Sequence, residues 1–246
     1  LLLSVVMSIA MEAVQMFLPA RIASNVDVLA NGAGALIGAL AAPLFLPSQR
    51  LGAQLGAWRN RVFVPGVVID AGVVVAVLWV ITQLNPLTQV FGTGHLRGTF
   101  DLPAYVFHTP SLLLSAEATV VMFNLLGIGL LLSTLLRAES RHGPVIAAVI
   151  TAALGCKMLI TVFLAKPQGA WAWMTPGVLL GFILGAIMLA GLLSLGQAAR
   201  LALALLALLL ALAAINLAPD NPYFSLPPQL ASGRSSHFLS FSNTLQ

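Results

Sequence analysis

Seven apolar runs divide the chain, near residues 1–18, 26–46, 64–83, 111–136, 144–165, 174–196 and 199–217. None alternates polar and apolar residues with the period of a strand. A hydrocarbon layer about 30 Å thick is crossed by roughly 20 apolar helical residues, so each run has the length of a membrane span. Prolines at 19, 43, 47, 65, 86, 110, 144, 167, 176 and 219 lie at or near the ends of these runs, where a missing N–H disturbs a helix least. The pattern predicts an all-α, polytopic helical membrane protein with about seven transmembrane helices.

Composition strengthens this expectation. The chain is 59% hydrophobic and 7% charged, with a mean hydropathy of +1.00, whereas an ordinary soluble domain carries about a quarter charged residues. Backbone groups in hydrocarbon must bond within their own segment or within a closed barrel, and the missing alternation argues against the barrel. The net charge of +4 does not indicate nucleic acid, because the basic residues stand singly between apolar runs instead of forming a stripe. Cys156 is a single cysteine and excludes an internal disulfide. His95, His108, His142 and His237 lack metal-ligand spacing, so neither a metal nor a cofactor is expected.

Of the eleven lysines and arginines, all but Lys157, which lies within a span, set an orientation. Arg50, Arg59, Arg61, Arg137, Arg141 and Arg200 occupy three alternate short connections, while Arg21, Arg97, Lys166 and Arg234 are spread thinly over the opposite ones. Short cytoplasmic loops keep an excess of such residues, which places the first set inside. The 18–26 turn, the 84–110 connection, the 166–175 connection and the tail from 218 then face outward. Trp171 and Trp173 fit an interfacial aromatic belt on that side.

Polar residues within and beside the runs gather on the outer side. Glu12 and Gln15 are three apart on the first run, and Asp27 and Asn31 four apart on the second, with Gly34 and Gly38 continuing that stripe. The turn carrying Pro19 and Arg21 is short enough to make the two helices antiparallel neighbours. The five polar residues are therefore expected to form an extracytoplasmic pocket. A plainer alternative has Asp27 as a helix cap and Gly34 with Gly38 as a packing seam. Glu12 leans toward function, since ionisable groups inside membranes are rare and usually mark a site. Supporting polar groups are Gln83, Asn85, Glu117 and Lys157; the last two could neutralise one another, join a ligand site, or snorkel separately. Gly177, Gly181 and Gly185, four apart, predict close helix packing.

The spacing Glu12, Gln15, Pro19, Arg21, Asp27, Asn31, Gly34, Gly38 resembles the signature of the VanZ-like family, named for a teicoplanin-resistance protein. "WVITQLNPLTQVFGTG" and "SSHFLSFS" are also similar to segments of longer bacterial members with extra helices. The resemblance implies a bacterial cytoplasmic-membrane protein, of which residues 1–46 would be the C-terminal part of a VanZ-like unit. Residues 47–63 would then be a cytoplasmic loop, 64–217 five further transmembrane helices, and 218–246 an extracytoplasmic tail. The abrupt ends, "LLLSVVMSIA" and "HFLSFSNTLQ", fit a fragment of a longer protein.

Motifs for several enzyme classes are absent. "GTGHLRG" has its third glycine one place late for a dinucleotide loop and follows no strand, and there is no GxSxG, HExxH, SxxK or Walker sequence. The expected function is a pocket for a cell-envelope or lipid-linked ligand, with an effect on envelope-antibiotic sensitivity. The alternatives are an intramembrane enzyme acting on an envelope lipid and a structural scaffold. The expected partners are membrane lipids and a lipid-linked envelope precursor, not nucleic acid; the oligomeric state is open.

Overall fold

The computed structural model describes residues 6, 10, 25–85, 88–92, 96, 109–137, 141–165, 171 and 173–218, with the side chains of 25–30, 164 and 165 left aside. The chain divides into two compact units, 1–62 and 63–246. Among the described residues it is helical, with no strand and a single isolated bridge between Phe63 and Leu136.

The first unit contains α1 (Asn25–Ala41), a 3-10 turn (Ala42–Phe45) and α2 (Arg50–Val62). Pro43 sits at the start of the 3-10 turn, where its missing N–H ends the α-helical ladder. The chain then turns, so that the stretch Asn31–Phe45 and the helix Arg50–Val62 meet at 80°. Gly52 makes the turn possible: a Cβ there would lie 2.1 Å from the carbonyl oxygen of Leu46. The connection expected between spans thus carries a helix of its own.

The second unit contains α3 (Val67–Thr82), α4 (Pro110–Leu135), α5 (His142–Ala165), α6 (Pro176–Leu192) and α7 (Gln197–Leu217). Pro65 precedes the start of α3, and Gly66, at φ 153°, takes a backbone conformation that a side chain would strain. The centre of the unit is α4, which packs against α3, α5, α6 and α7. Its apolar residues are enclosed by the other helices, while the outer faces of those helices present Leu179, Ile183, Ile187, Leu205, Leu209 and Val75. Polar side chains such as Gln83, Asn85, Glu117, Asn124, Ser133 and Lys157 are buried. Apolar outside and polar inside is the distribution that a hydrocarbon solvent imposes.

Lipid tails are as apolar as leucine, so membrane helices associate mainly through close contact of small residues. Gly177, Gly181 and Gly185 line α6 where it crosses α4. A Cβ on Gly181 would stand 2.4 Å from Ala118 O, and one on Gly185 2.9 Å from Leu125 Cδ2. Ala204, Ala207, Ala211 and Ile215 form the buried stripe of α7, and Leu208 of that helix fills the space over Gly127 of α4.

At its C-terminus α4 has carbonyls without intrahelical donors, and neighbouring groups supply them. Arg200 Nη1 donates to Ser133 O at 3.3 Å, Gln197 Nε2 to Thr134 O at 3.3 Å, and Val64 N to Leu135 O at 3.0 Å. Arg137 Nε donates to Phe63 O at 3.2 Å. Two guanidinium groups at this end also complement the negative pole of the helix dipole.

By length and composition, α4, α7 and residues His142–Phe163 of α5 can each cross a membrane, and the bent pair in the first unit raises the number to four. Helices α3 and α6, at 16 and 17 residues, fall short of the roughly 20 residues that cross a hydrocarbon layer. Proline and glycine at their ends trim these runs below the length read from hydropathy. The run 1–18 lies outside the described residues, apart from two helical positions.

Candidate functional site

Opposite the arginine-capped end, the second unit folds a short connection into its own interior. After α3 the chain continues through Gln83 and Asn85 to Val90, Phe91 and Gly92, and all five of these residues are buried. Gln83 holds the loop closed: its Oε1 accepts from Phe91 N at 2.9 Å, and its Nε2 donates to Trp79 O and Thr82 Oγ1. Phe91 is a non-glycine residue at φ 60°, a conformation that costs on the order of 1–3 kcal/mol and persists where its surroundings dictate it. Its ring is fixed 5.0 Å from that of Trp79 and 6.5 Å from that of Phe182. Gly92 lies under α7, where a Cβ would meet Ile215 Cδ1 at 2.7 Å.

Two ionisable residues act on this end. Lys157, on α5, is only 1% exposed. Its Nζ donates to Asn85 O at 2.7 Å and to Thr88 O at 2.5 Å, so two loop carbonyls hold the end of the side chain. A lysine ammonium has three donors, and the third has no acceptor among the described residues. Glu117, on α4, takes other partners. Its Oε2 accepts from Thr175 Oγ1 at 2.5 Å, and its backbone carbonyl accepts from Gln89 Nε2 at 2.9 Å. Lys157 and Glu117, which the sequence left able to neutralise one another, to join a ligand site or to snorkel separately, are linked through the loop: Lys157 to Thr88 and Asn85, and the neighbouring Gln89 to α4.

Thr175 joins Glu117 to the start of α6. Its hydroxyl oxygen accepts from Val178 N at 3.2 Å, which caps the helix, while its proton goes to the carboxylate. The carboxylate lies at the positive end of the α6 dipole, and there is room for it because residue 177 is glycine; a Cβ there would be 2.6 Å from Glu117 Oε2. Asn124, deeper in α4, bonds back to Val120 O.

Two further donors at this end are buried without a partner among the described residues: Nε1 of Trp79 and Nε1 of Trp173. Trp171 and Trp173, paired in sequence as a belt, separate in environment. Trp171 is 58% exposed and Trp173 only 5%, with the rings 6.3 Å apart. Only Trp171 has the exposure of a belt residue. Thr175, Gln89, Thr88, Trp79 and the buried state of Trp173 were not legible as site features. Thr175–Pro176 reads as an ordinary helix start, and its bond to Glu117 spans 58 positions in sequence.

Of the expected pocket in the first unit, Glu12, Gln15 and Arg21 lie outside the described residues. Asp27 is in the first turns of α1, its side chain outside the description, and Asn31 is exposed on the same helix. No described atom comes within 4 Å of a Cβ placed on Gly34 or Gly38. The four supporting residues Gln83, Asn85, Glu117 and Lys157 converge on one end of the second unit. Among the described residues there is no cluster of histidine, cysteine, aspartate or glutamate able to hold a metal ion.

No curated protein and no solved structure matches the chain. Residues 1–46 match the family model described as VanZ/LLP1, the same stretch that carries the motif from Glu12 to Gly38.

Proposed function

We propose that the chain is a multi-pass protein of the bacterial cytoplasmic membrane, with seven spans, that binds the anionic headgroup of a cell-envelope or lipid-linked ligand at its extracytoplasmic side. Lys157 is the observation that carries the proposal. An ionisable residue inside a span is costly and by default functional, and among the described residues this one has acceptors for two of its three donors, while Trp79 and Trp173 bring to the same end of the bundle N–H groups that have no partner among those residues. A surplus of donors beside a cation suits phosphate or carboxylate oxygens. In the VanZ/LLP1-type segment, Arg21 would contact an anionic headgroup, Glu12 and Asp27 would orient it or a proton, and Gln15 and Asn31 would add neutral hydrogen bonds.

Lipid analysis of the protein extracted into native nanodiscs tests this. An anionic envelope lipid should accompany the wild type and be depleted in Arg21→Ala and Lys157→Met, with both variants still inserted and monodisperse. Equal lipid content in all three proteins would overturn the proposal. In cells, Glu12→Gln, Arg21→Ala and Asp27→Asn should each alter sensitivity to envelope-directed antibiotics at unchanged membrane abundance; three wild-type phenotypes would remove that segment from the function.

A further inference from the structure

Helix α2 has a composition unlike its neighbours. Leu51, Leu55, Trp58 and Val62 recur at the spacing of one helical face. Leu51 is 45%, Leu55 44% and Trp58 56% exposed. With 3.6 residues per turn, Arg50 and Arg61 flank one border of that face and Arg59 the other, while Ala53, Gly56 and Asn60 lie opposite. From Pro47 to Gly66 there are three arginines and no aspartate or glutamate. The preceding stretch presents Leu36, Ile37, Leu40, Leu44 and Phe45 outward, as a segment in hydrocarbon would, and α2 leaves it at 80°.

We infer that α2 lies flat on the anionic surface of the bilayer, with Leu51, Leu55 and Trp58 inserted below the headgroups and its arginines bound to lipid phosphates. An 80° turn out of a segment parallel to the membrane normal brings a helix into the membrane plane. A narrow apolar face bordered by arginines is the pattern that inserts there, because the aliphatic stems reach along the face while the guanidinium groups stay among phosphates. Anionic lipid is favoured over zwitterionic lipid by three arginines in a stretch without aspartate or glutamate, and attraction of this kind adds up over each basic residue near the surface. Trp58 sits on the inserted face, where an indole is at home at headgroup depth. This assignment is independent of the ligand proposed above.

The full chain with Cys156→Ser, carrying single cysteines through 50–62 bearing a nitroxide, tests it in vesicles of phosphatidylcholine with phosphatidylglycerol. Accessibility to oxygen should peak at 51, 55 and 58, and accessibility to a water-soluble nickel chelate at 53, 56 and 60, with a several-fold contrast in their ratio between 55 and 53. The contrast should shrink in pure phosphatidylcholine. It should also shrink in phosphatidylglycerol vesicles when Arg50, Arg59 and Arg61 are all changed to Gln. Three outcomes would overturn the inference: no helical period, exclusion of both reagents at 51, 55 and 58 as when protein covers the face, or the same contrast in both lipids.

Discussion

At the residue scale, the buried end of the second unit is held by a few bonds whose loss has a definite direction. Replacing Lys157 by Ala removes the donor to Asn85 O and Thr88 O and leaves a void on α5, so it should lower stability by roughly 2–5 kcal/mol, combining a cavity with unsatisfied carbonyls. Thermal unfolding in detergent measures this. Thr175→Val loses both the cap on Val178 N and the donor to Glu117; it should cost about 1–2 kcal/mol, and Thr175→Ser, which keeps the hydroxyl, should recover most of that. A threonine before a proline is readable as a helix start from sequence. That its proton serves a carboxylate on another helix is not, because nothing local distinguishes this threonine from any other cap.

At the scale of the helices, the glycines of α6 are not equivalent to one another. Gly181 has Ala118 O at 2.4 Å from where a Cβ would stand, whereas no described atom is within 4 Å of that position on Gly191. Gly181→Val must push α6 away from α4 against a backbone atom, and should destabilise by at least about 1–3 kcal/mol. Gly191→Ala should be neutral or gain up to about 1 kcal/mol in helix propensity; comparing the two midpoints under the same detergent checks both. The four-residue spacing of Gly177, Gly181 and Gly185 was legible, and the identity of the helix they meet was not. Arg200→Ala should likewise destabilise, by roughly 0.5–2 kcal/mol, through the loss of the donor to Ser133 O at the end of α4. Helix α2 is not legible as an apolar run, because a short amphipathic helix has a low mean hydropathy whatever its periodicity.

At the scale of the molecule, the arginines predict an orientation. In a Cys156→Ser background, a cysteine at Ser111 or Trp171 should react with a membrane-impermeant maleimide in intact cells, and one at Arg141 or Ser194 only after permeabilisation. The reverse pattern would invert the topology, and with it the assignment of Lys157 and Glu117 to the outer side.

Sequence by itself determined that the chain is a helical membrane protein, where most helices lie, and that ionisable residues inside apolar runs require partners. Those properties depend on hydropathy and on backbone hydrogen bonding in hydrocarbon, which act within a single segment. Tertiary structure decided the partners. It placed Lys157 on loop carbonyls, gave Glu117 the hydroxyl of Thr175, buried Trp173 and turned Gln83, Asn85, Val90, Phe91 and Gly92 inward. Each of these contacts joins segments far apart in the chain, and its geometry is set by how closely the helices approach, which the order of residues along one helix does not encode.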